Sequence, residues 1–362
     1  MIKIVHAADL HLDSAFSSLS PEQAARMREE QRELLFRLVD RAERFGAQLI
    51  FLAGDLFDSA RCHAQTLEAL CAALGRTRAR VFIAPGNHDA FTRSSPWRRM
   101  CLPENVHVFT DPEPEPVELS ALGCTVWGAA FTGGGAARPL AGFRADGAGL
   151  NLMVLHGDTE TPGSPYGYIP REDISASGLD YLALGHIHKF SGLLRAGRTF
   201  YAYPGCAIGR GFDETGEKGA ILAEVDAGSC RLELAPLGAR RYETAEVSVT
   251  GTSPAAAVRA ALPESAVRDI YRVSLTGECA APPDIAALER ELSGLCYRLE
   301  LIDHTRPAAE LWSEMGESSL RGGFLREMRA LLDAAEDEEQ RQLIMSALRF
   351  GIAALENREV WQ

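Results

Sequence analysis

Five apolar runs in this chain end alike, and that shared ending restricts the fold more than any other feature. Each stops in a short segment of aspartate, asparagine or histidine: "DLH" (Asp9, His11), "GDLFD" (Asp55), "GNHD" (Asn87, His88), "LHGD" (His156) and "GHIH" (His186, His188). In open α/β sheets functional groups collect beyond the carboxyl ends of the strands, so five such endings can converge on one place. Five of the nine histidines lie in them. A lone Asp-x-His is ordinarily a turn or a cap, and a lone buried histidine is ordinarily a hydrogen-bonded core residue. The repetition carries the reading. In "ALGHIHKF" a continuing strand would aim His186 and His188 the same way. Gly185 signals a turn instead, which lets the two rings part.

The rest of the first part alternates strand and helix. Strands are expected at 2–7, 47–53, 80–84, 150–155 and 180–184. Ser20-Pro21-Glu22-Gln23 reads as a capping box opening a helix that stops near Gly46. A second helix runs from about 63 to 74. "FYAYPG", "GAILAEVD" and "CRLELAPL" look like hairpin strands, with Ala227-Gly228 as a turn. Such mixed strands predict an α/β fold of two packed sheets flanked by helices. From about 241 a β-α-β-α-β pattern follows, with helices from about 253 to 262 and 283 to 293, the second opened by Pro282-Pro283. After Pro307 the chain turns helical. Leu320, Phe324, Leu325, Met328, Leu331 and Leu332 form one expected apolar face, and Leu343, Ile344, Leu348, Ile352 and Leu355 another. The expected domains are 1–240, 241–308 and 309–362, in keeping with a length of 362 residues. The glycine-rich stretch 131–139 lacks a following GK[ST] and reads as a loop, not a phosphate cradle.

Composition narrows the classes. No apolar run is long enough to span a membrane, and the start lacks a signal-peptide core, so a cytoplasmic protein without membrane contact is expected. Eight cysteines without a CxxC read as reduced thiols rather than a structural zinc site. A net charge of -13 argues against coating nucleic acid through a broadly basic surface. It leaves room for a nuclease whose metals and local arginines meet the phosphates. Imidazole, carboxylate and carboxamide together suit borderline divalent ions. Asp55, ending a central strand, is the natural bridge between two of them.

Asp-x-His, Gly-Asp, Gly-Asn-His-Asp, His and Gly-His-x-His in this order resemble the calcineurin-like metallophosphoesterases over roughly residues 1–235. The resemblance implies a two-sheet metallophosphoesterase sandwich. It implies two divalent ions, Mn2+ first, with Fe2+, Zn2+ or Mg2+ as alternatives. Asp9, His11, Asp55 and His188 correspond to ligands of the first ion, and Asp55, Asn87, His156 and His186 to ligands of the second. His88 corresponds to a catalytic histidine that is not a ligand. "HAADLHLDS", "GDLFDSA", "ALGHIHKF" and "YPGCAIGRGFDETGEKG" resemble the SbcD/YhaO group of DNA repair exonucleases. That implies a capping domain, DNA as substrate, a tail that docks an SbcC/YhaN-like coiled-coil ATPase, and a homodimer. The alternatives are a phosphatase or phosphodiesterase acting on a small molecule or nucleotide, and an interaction subunit for an ATPase. Asp58 stands where eukaryotic and archaeal relatives often carry histidine. Arg93, Arg98 and Arg99, with Trp97 among them to stack on a base, are the expected substrate contacts, joined by Lys189 and Arg210.

Overall fold

The computed structural model describes residues 1–133, 138–146, 149–279 and 283–355. It divides into two compact units, Met1–Arg241 and Tyr242–Gln362. Residues 134–137 of the glycine-rich stretch, and Pro282, lie outside the described residues.

Among the described residues the first unit holds twelve strands: β1 (Ile2–Ala7), β2 (Leu49–Leu52), β3 (Arg80–Ile83), β4 (Val106–Val108), β5 (Glu115–Leu119), β6 (Cys124–Gly128), β7 (Leu150–His156), β8 (Tyr181–Gly185), β9 (Leu194–Ala196), β10 (Thr199–Ala202), β11 (Gly219–Asp226) and β12 (Ser229–Pro236). They form two six-stranded sheets, ordered β12-β11-β1-β2-β3-β4 and β5-β6-β7-β8-β10-β9. Neighbours run parallel from β1 to β4. So do β6, β7, β8 and β10. Parallel strands covered on both faces are apolar throughout, which is why β1, β2, β3, β7 and β8 stand out as continuous runs.

Side-chain alternation sorts the two faces. Leu152, Val154, Tyr181 and Ala183 point inward and meet Ile4, Phe51, Phe82 and Ile221 of the other sheet in one core. Met153, Leu155, Leu182 and Leu184 point outward to a second cluster, with Ile174 of the short helix α3 (Arg171–Ala176). In chain order α3 follows α1 (Pro21–Phe45) and α2 (Ala64–Leu74). At α1 the Ser20 hydroxyl accepts from the Gln23 N–H, and the Gln23 side chain accepts from the Ser20 N–H. Gly46 closes the helix in the left-handed conformation at φ 70°. Its buried residues include Met27, Leu34, Leu35, Leu38 and Val39.

The second unit carries a parallel three-stranded sheet of β13 (Tyr242–Ser248), β14 (Ile270–Thr276) and β16 (Arg298–Asp303). Helices α4 (Pro254–Ala261) and α5 (Ile285–Glu291) connect its strands. The latter opens at Ile285 behind an Asp284 cap, two residues later than the expected proline start. A minimal ladder joins β15 (Glu278–Cys279) to β17 (Arg306–Pro307). Then come α6 (Ala309–Ser313), α7 (Leu320–Ala334) and α8 (Glu338–Leu355). Leu311, Leu325, Met328, Leu348 and Ile352 make a core of their own. The expected apolar faces of α7 and α8 are only partly used: Leu320 and Leu331, three turns apart, are exposed, as is Leu343. Among the described residues no helix is long and apolar enough to cross a membrane.

Candidate metal centre

Beyond β1 and β2 the chain stays paired but leaves regular strand geometry. The N–H groups of Asp9, His11 and Leu12 donate to the carbonyls of Gly54, Asp55 and Leu56, at 3.0, 3.0 and 2.8 Å. Asp9, His11 and Asp55 hold positive φ of 49°, 42° and 50°, and His186 follows at 108°. Non-glycine residues rarely hold such angles, and clusters of them mark functional sites. Gln31 of α1 props this turn: its Nε2 donates to the His11 carbonyl at 2.8 Å, and its Oε1 accepts from the Asp13 N–H at 3.1 Å.

The two sheets meet at these strand ends. A Cβ at Gly185 would collide with the Ala53 carbonyl and lie 2.9 Å from the Ala8 side chain. One at Gly54 would sit 2.5 Å from His156 Nδ1. Glycine is the residue that permits both approaches.

Close approach brings the predicted ligands together. His11 Nε2 and His188 Nε2 are 3.2 Å apart, and His188 Nε2 is 3.6 Å from Asp9 Oδ1. Asp55 Oδ2 lies 4.0 Å from His11 Nε2 and 3.4 Å from His156 Nε2, between the two histidine groups. Asn87 Oδ1 is 3.0 Å from His156 Nε2. The rings of His186 and His188 do part. His188 faces His11, whereas His186 lies 5.3 Å, centroid to centroid, from both His156 and Tyr166. Asp9–His11–His188 and Asp9–Asp55–His156 each present three donor atoms at mutual ligand spacing. His186 belongs to neither trio.

The donor set fits divalent ions. Asp9, His11, Asp55 and His156 are all at most 5% exposed. Burial and the Asp55 charge drive the Asp9 carboxyl well above the usual carboxylate range. Burial also raises Asp55, but His156, His11 and the His88 N–H outweigh it and hold Asp55 below that range. Burial pushes His11 down, and burial with His156 lowers His186 to about 4, so both stay neutral and able to ligate. Adjacent buried carboxylates backed by neutral imidazoles form a site suited to divalent cations. A third trio, His11–Asp58–His88, also meets the spacing. Arg210 Nη1 donates to Asp58 at 3.0 Å, however, and a fixed guanidinium there repels a cation.

His88 is exposed at the rim, its ring 4.8 Å from that of His11. Its N–H donates to Asp55 Oδ1 at 2.8 Å, and its Nδ1 lies 2.9 Å from the Asp58 carbonyl. That leaves Nε2 for a substrate. Asp89, next in the chain, organises the turn. Its carboxylate accepts from the N–H groups of Gly86, Asp55 and Leu56. Burial and the Asp55 charge raise it to about 7.

Arg93, Arg98, Arg99 and Lys189 are exposed. Arg98 lies over the Phe91 ring at 4.4 Å. The stacking expected of Trp97 has no free face to act through. That ring is 4% exposed, packs 5.0 Å from Phe57, and donates from Nε1 to the Asp89 carbonyl. Arg210 is not a free cation, being held by Asp58 and Glu214. Sequence reasoning missed Glu214, whose Oε1 is 2.6 Å from His188 Nδ1. It sits in a loop without strand periodicity or ligand spacing.

Comparison with known proteins finds relatives over the first unit. A family model described as calcineurin-like phosphoesterase matches residues 2–190. A Bacillus subtilis (strain 168) protein named uncharacterized metallophosphoesterase YhaO is 33% identical over 69% of this chain and 64% of its own length. The chain thus spans under two thirds of that relative. Among solved structures, a dimetal phosphatase from Danio rerio aligns at TM-score 0.43 and 11% identity, covering 65% of this chain and 96% of that one. A Thermus thermophilus protein aligns at TM-score 0.41 and 14% identity, covering 64% and 98%.

Proposed function

Because the chain belongs to the calcineurin-like phosphoesterase family, we propose that it is a two-metal phosphodiester hydrolase acting on DNA, in the manner of a repair exonuclease subunit. The placement of the Asp55 carboxylate between the His11 and His156 imidazoles carries the two-metal part. Asp9, His11, Asp55 and His188 would hold one ion; Asp55, Asn87, His156 and His186 would hold the other. Divalent ions, Mn2+ foremost, would there polarise the phosphoryl oxygens and offset the charge developing on them. His88 acts from the rim: with Nδ1 engaged, its Nε2 orients the phosphate or gives a proton to the leaving oxygen. Asp89 and Asp58 hold the loops that carry Asp55 and His88. The exposed cations Arg93, Arg98, Arg99 and Lys189 supply phosphate contacts along a strand.

A small-molecule phosphoesterase is the second reading. The net charge of -13 and the burial of Trp97 favour it. One experiment separates the two. Manganese-loaded protein is offered end-labelled double- and single-stranded DNA, bis-p-nitrophenyl phosphate and a phosphomonoester. The DNA reading expects cleavage of DNA and of the diester, with DNA binding that weakens steeply as salt rises. Hydrolysis of the monoester alone, or salt-independent DNA binding, would overturn it.

A partner belongs to the same reading. The exposed Leu320, Leu331 and Leu343 of α7 and α8 support docking of an SbcC/YhaN-like coiled-coil ATPase. Pull-down of such an ATPase by the full chain, and its loss when the chain ends at 308, is the expected result. Equal capture by both would reject the tail as the docking site.

A further inference from the structure

Two carboxylates stand behind the histidines of the first ion, and one arginine joins them. Asp58 Oδ1 is 3.1 Å from His11 Nδ1, and Glu214 Oε1 is 2.6 Å from His188 Nδ1. The Nε2 atoms of the two rings face each other at 3.2 Å. A ring that gives Nε2 to an ion keeps its proton on Nδ1, so each imidazole donates to its own carboxylate. Arg210 spans the pair. Its Nη1 donates to Asp58 Oδ1 and its Nη2 to Glu214 Oε1, both at 3.0 Å, while its backbone N–H donates to Glu214 Oε2 at 2.8 Å. A planar guanidinium can hold two carboxylates in fixed register; an ammonium cannot.

The second ion's side is built differently. His156 Nδ1 meets a neutral carbonyl, that of Ala53, at 3.0 Å. The Asp158 carboxylate near His186 stays 3.9 Å from its Nε2, beyond hydrogen-bond reach. Hydrogen-bonded carboxylates therefore back both histidines of the first ion, whereas those of the second have a carbonyl and a carboxylate out of hydrogen-bond reach.

We infer that Asp58, Arg210 and Glu214 form a brace that sets the affinity of the ion held by Asp9, His11 and His188, and leaves the other ion's affinity unchanged. The inference rests on the two-ion reading above. The three are positioning residues: they touch ligands and not the ion. A carboxylate behind a ligating imidazole fixes the ring and raises its basicity, and losing such support weakens metal affinity by about 10- to 100-fold. Because Arg210 ties Asp58 to Glu214, disturbing either end loosens both histidines.

Calorimetric titration of the metal-stripped full chain with Mn2+ tests this. Wild type should show two binding steps. His188→Gln identifies the first-ion step by abolishing it, and His156→Gln identifies the other. Glu214→Gln, which keeps shape, and Arg210→Lys, which keeps charge, should each weaken the first-ion step by about 10- to 100-fold. The other step should not move. Two such different changes leave the test standing if one variant fails to fold. Wild-type affinities at both steps, or equal weakening of both, would overturn the brace while the ligand assignment stands. If His188→Gln and His156→Gln leave both steps intact, the two-ion reading itself fails, and the brace with it.

Discussion

His88 and His6 show how the same side chain takes opposite roles from its surroundings. His88 is exposed, with Nδ1 tied to the Asp58 carbonyl. His88→Ala should lower phosphodiester hydrolysis by about 10²- to 10⁴-fold and leave two Mn2+ per chain; loss of an ion on metal analysis would make His88 a ligand. His6 in β1 is fully buried, with Nδ1 3.0 Å from the Tyr181 hydroxyl and Nε2 3.1 Å from the Leu184 carbonyl. Burial pushes its pKa down to about 3, against a partial lift from the Leu184 carbonyl. The unfolded chain regains an ordinary value near 6.5 and binds a proton that the folded chain refuses. Stability from this group is thus complete above about pH 6.5 and falls as pH drops towards 3, by about 1.4 kcal/mol per pH unit. Denaturant unfolding at pH 7, 6 and 5, with chelator present, should show a shallower pH slope for His6→Gln than for wild type. Equal slopes would mean that His6 does not set the acid limit.

At the scale of elements, the site depends on how closely strand ends can approach. The end of β8 meets the carbonyl of Ala53 and the side chain of Ala8 across Gly185. Gly185→Ala forces backbone apart at the point from which His186 and His188 diverge. It should destabilise the fold by about 1–3 kcal/mol, the range for overpacked sites, and reduce bound Mn2+ on equilibrium dialysis. Unchanged metal content would show that the strand end has slack. The same elements explain what sequence could and could not convey. Strands β1, β2, β3, β7 and β8 are buried on both faces, so their apolar runs and terminal ligands are legible together. Strands β4, β5 and β9 are short and half-exposed, so no run announces them. Glu214 and Gln31 act on the site through tertiary approach alone, and nothing in their local sequence marks it. On α7 the six expected apolar positions do not share one buried face. Positions 325, 328 and 332 face the core, while 320 and 331 lie three turns apart on an exposed side.

The whole molecule divides its labour between two units. Every ligand candidate lies within Met1–Arg241, and Tyr242–Gln362 has separate apolar cores around Val273 and Leu348. Divalent ions held at the native site would have no assembled site in the unfolded chain, so they would stabilise the first unit by mass action. At free Mn2+ a hundredfold above its dissociation constant the gain is about 2.7 kcal/mol, or about 100-fold slower exchange of amides that open only with global unfolding. Hydrogen exchange followed peptide by peptide should therefore show Mn2+ slowing the β1, β2, β7 and β8 amides, while those of β13, β14 and β16 exchange at their metal-free rate. Equal protection of both sets would mean that the units unfold as one cooperative body. Protection of neither would remove the metal centre as a source of stability. The selective result would mean that metal loading and any partner binding at the second unit are energetically separate, so a partner there would have to act on the phosphoesterase site through contacts of its own.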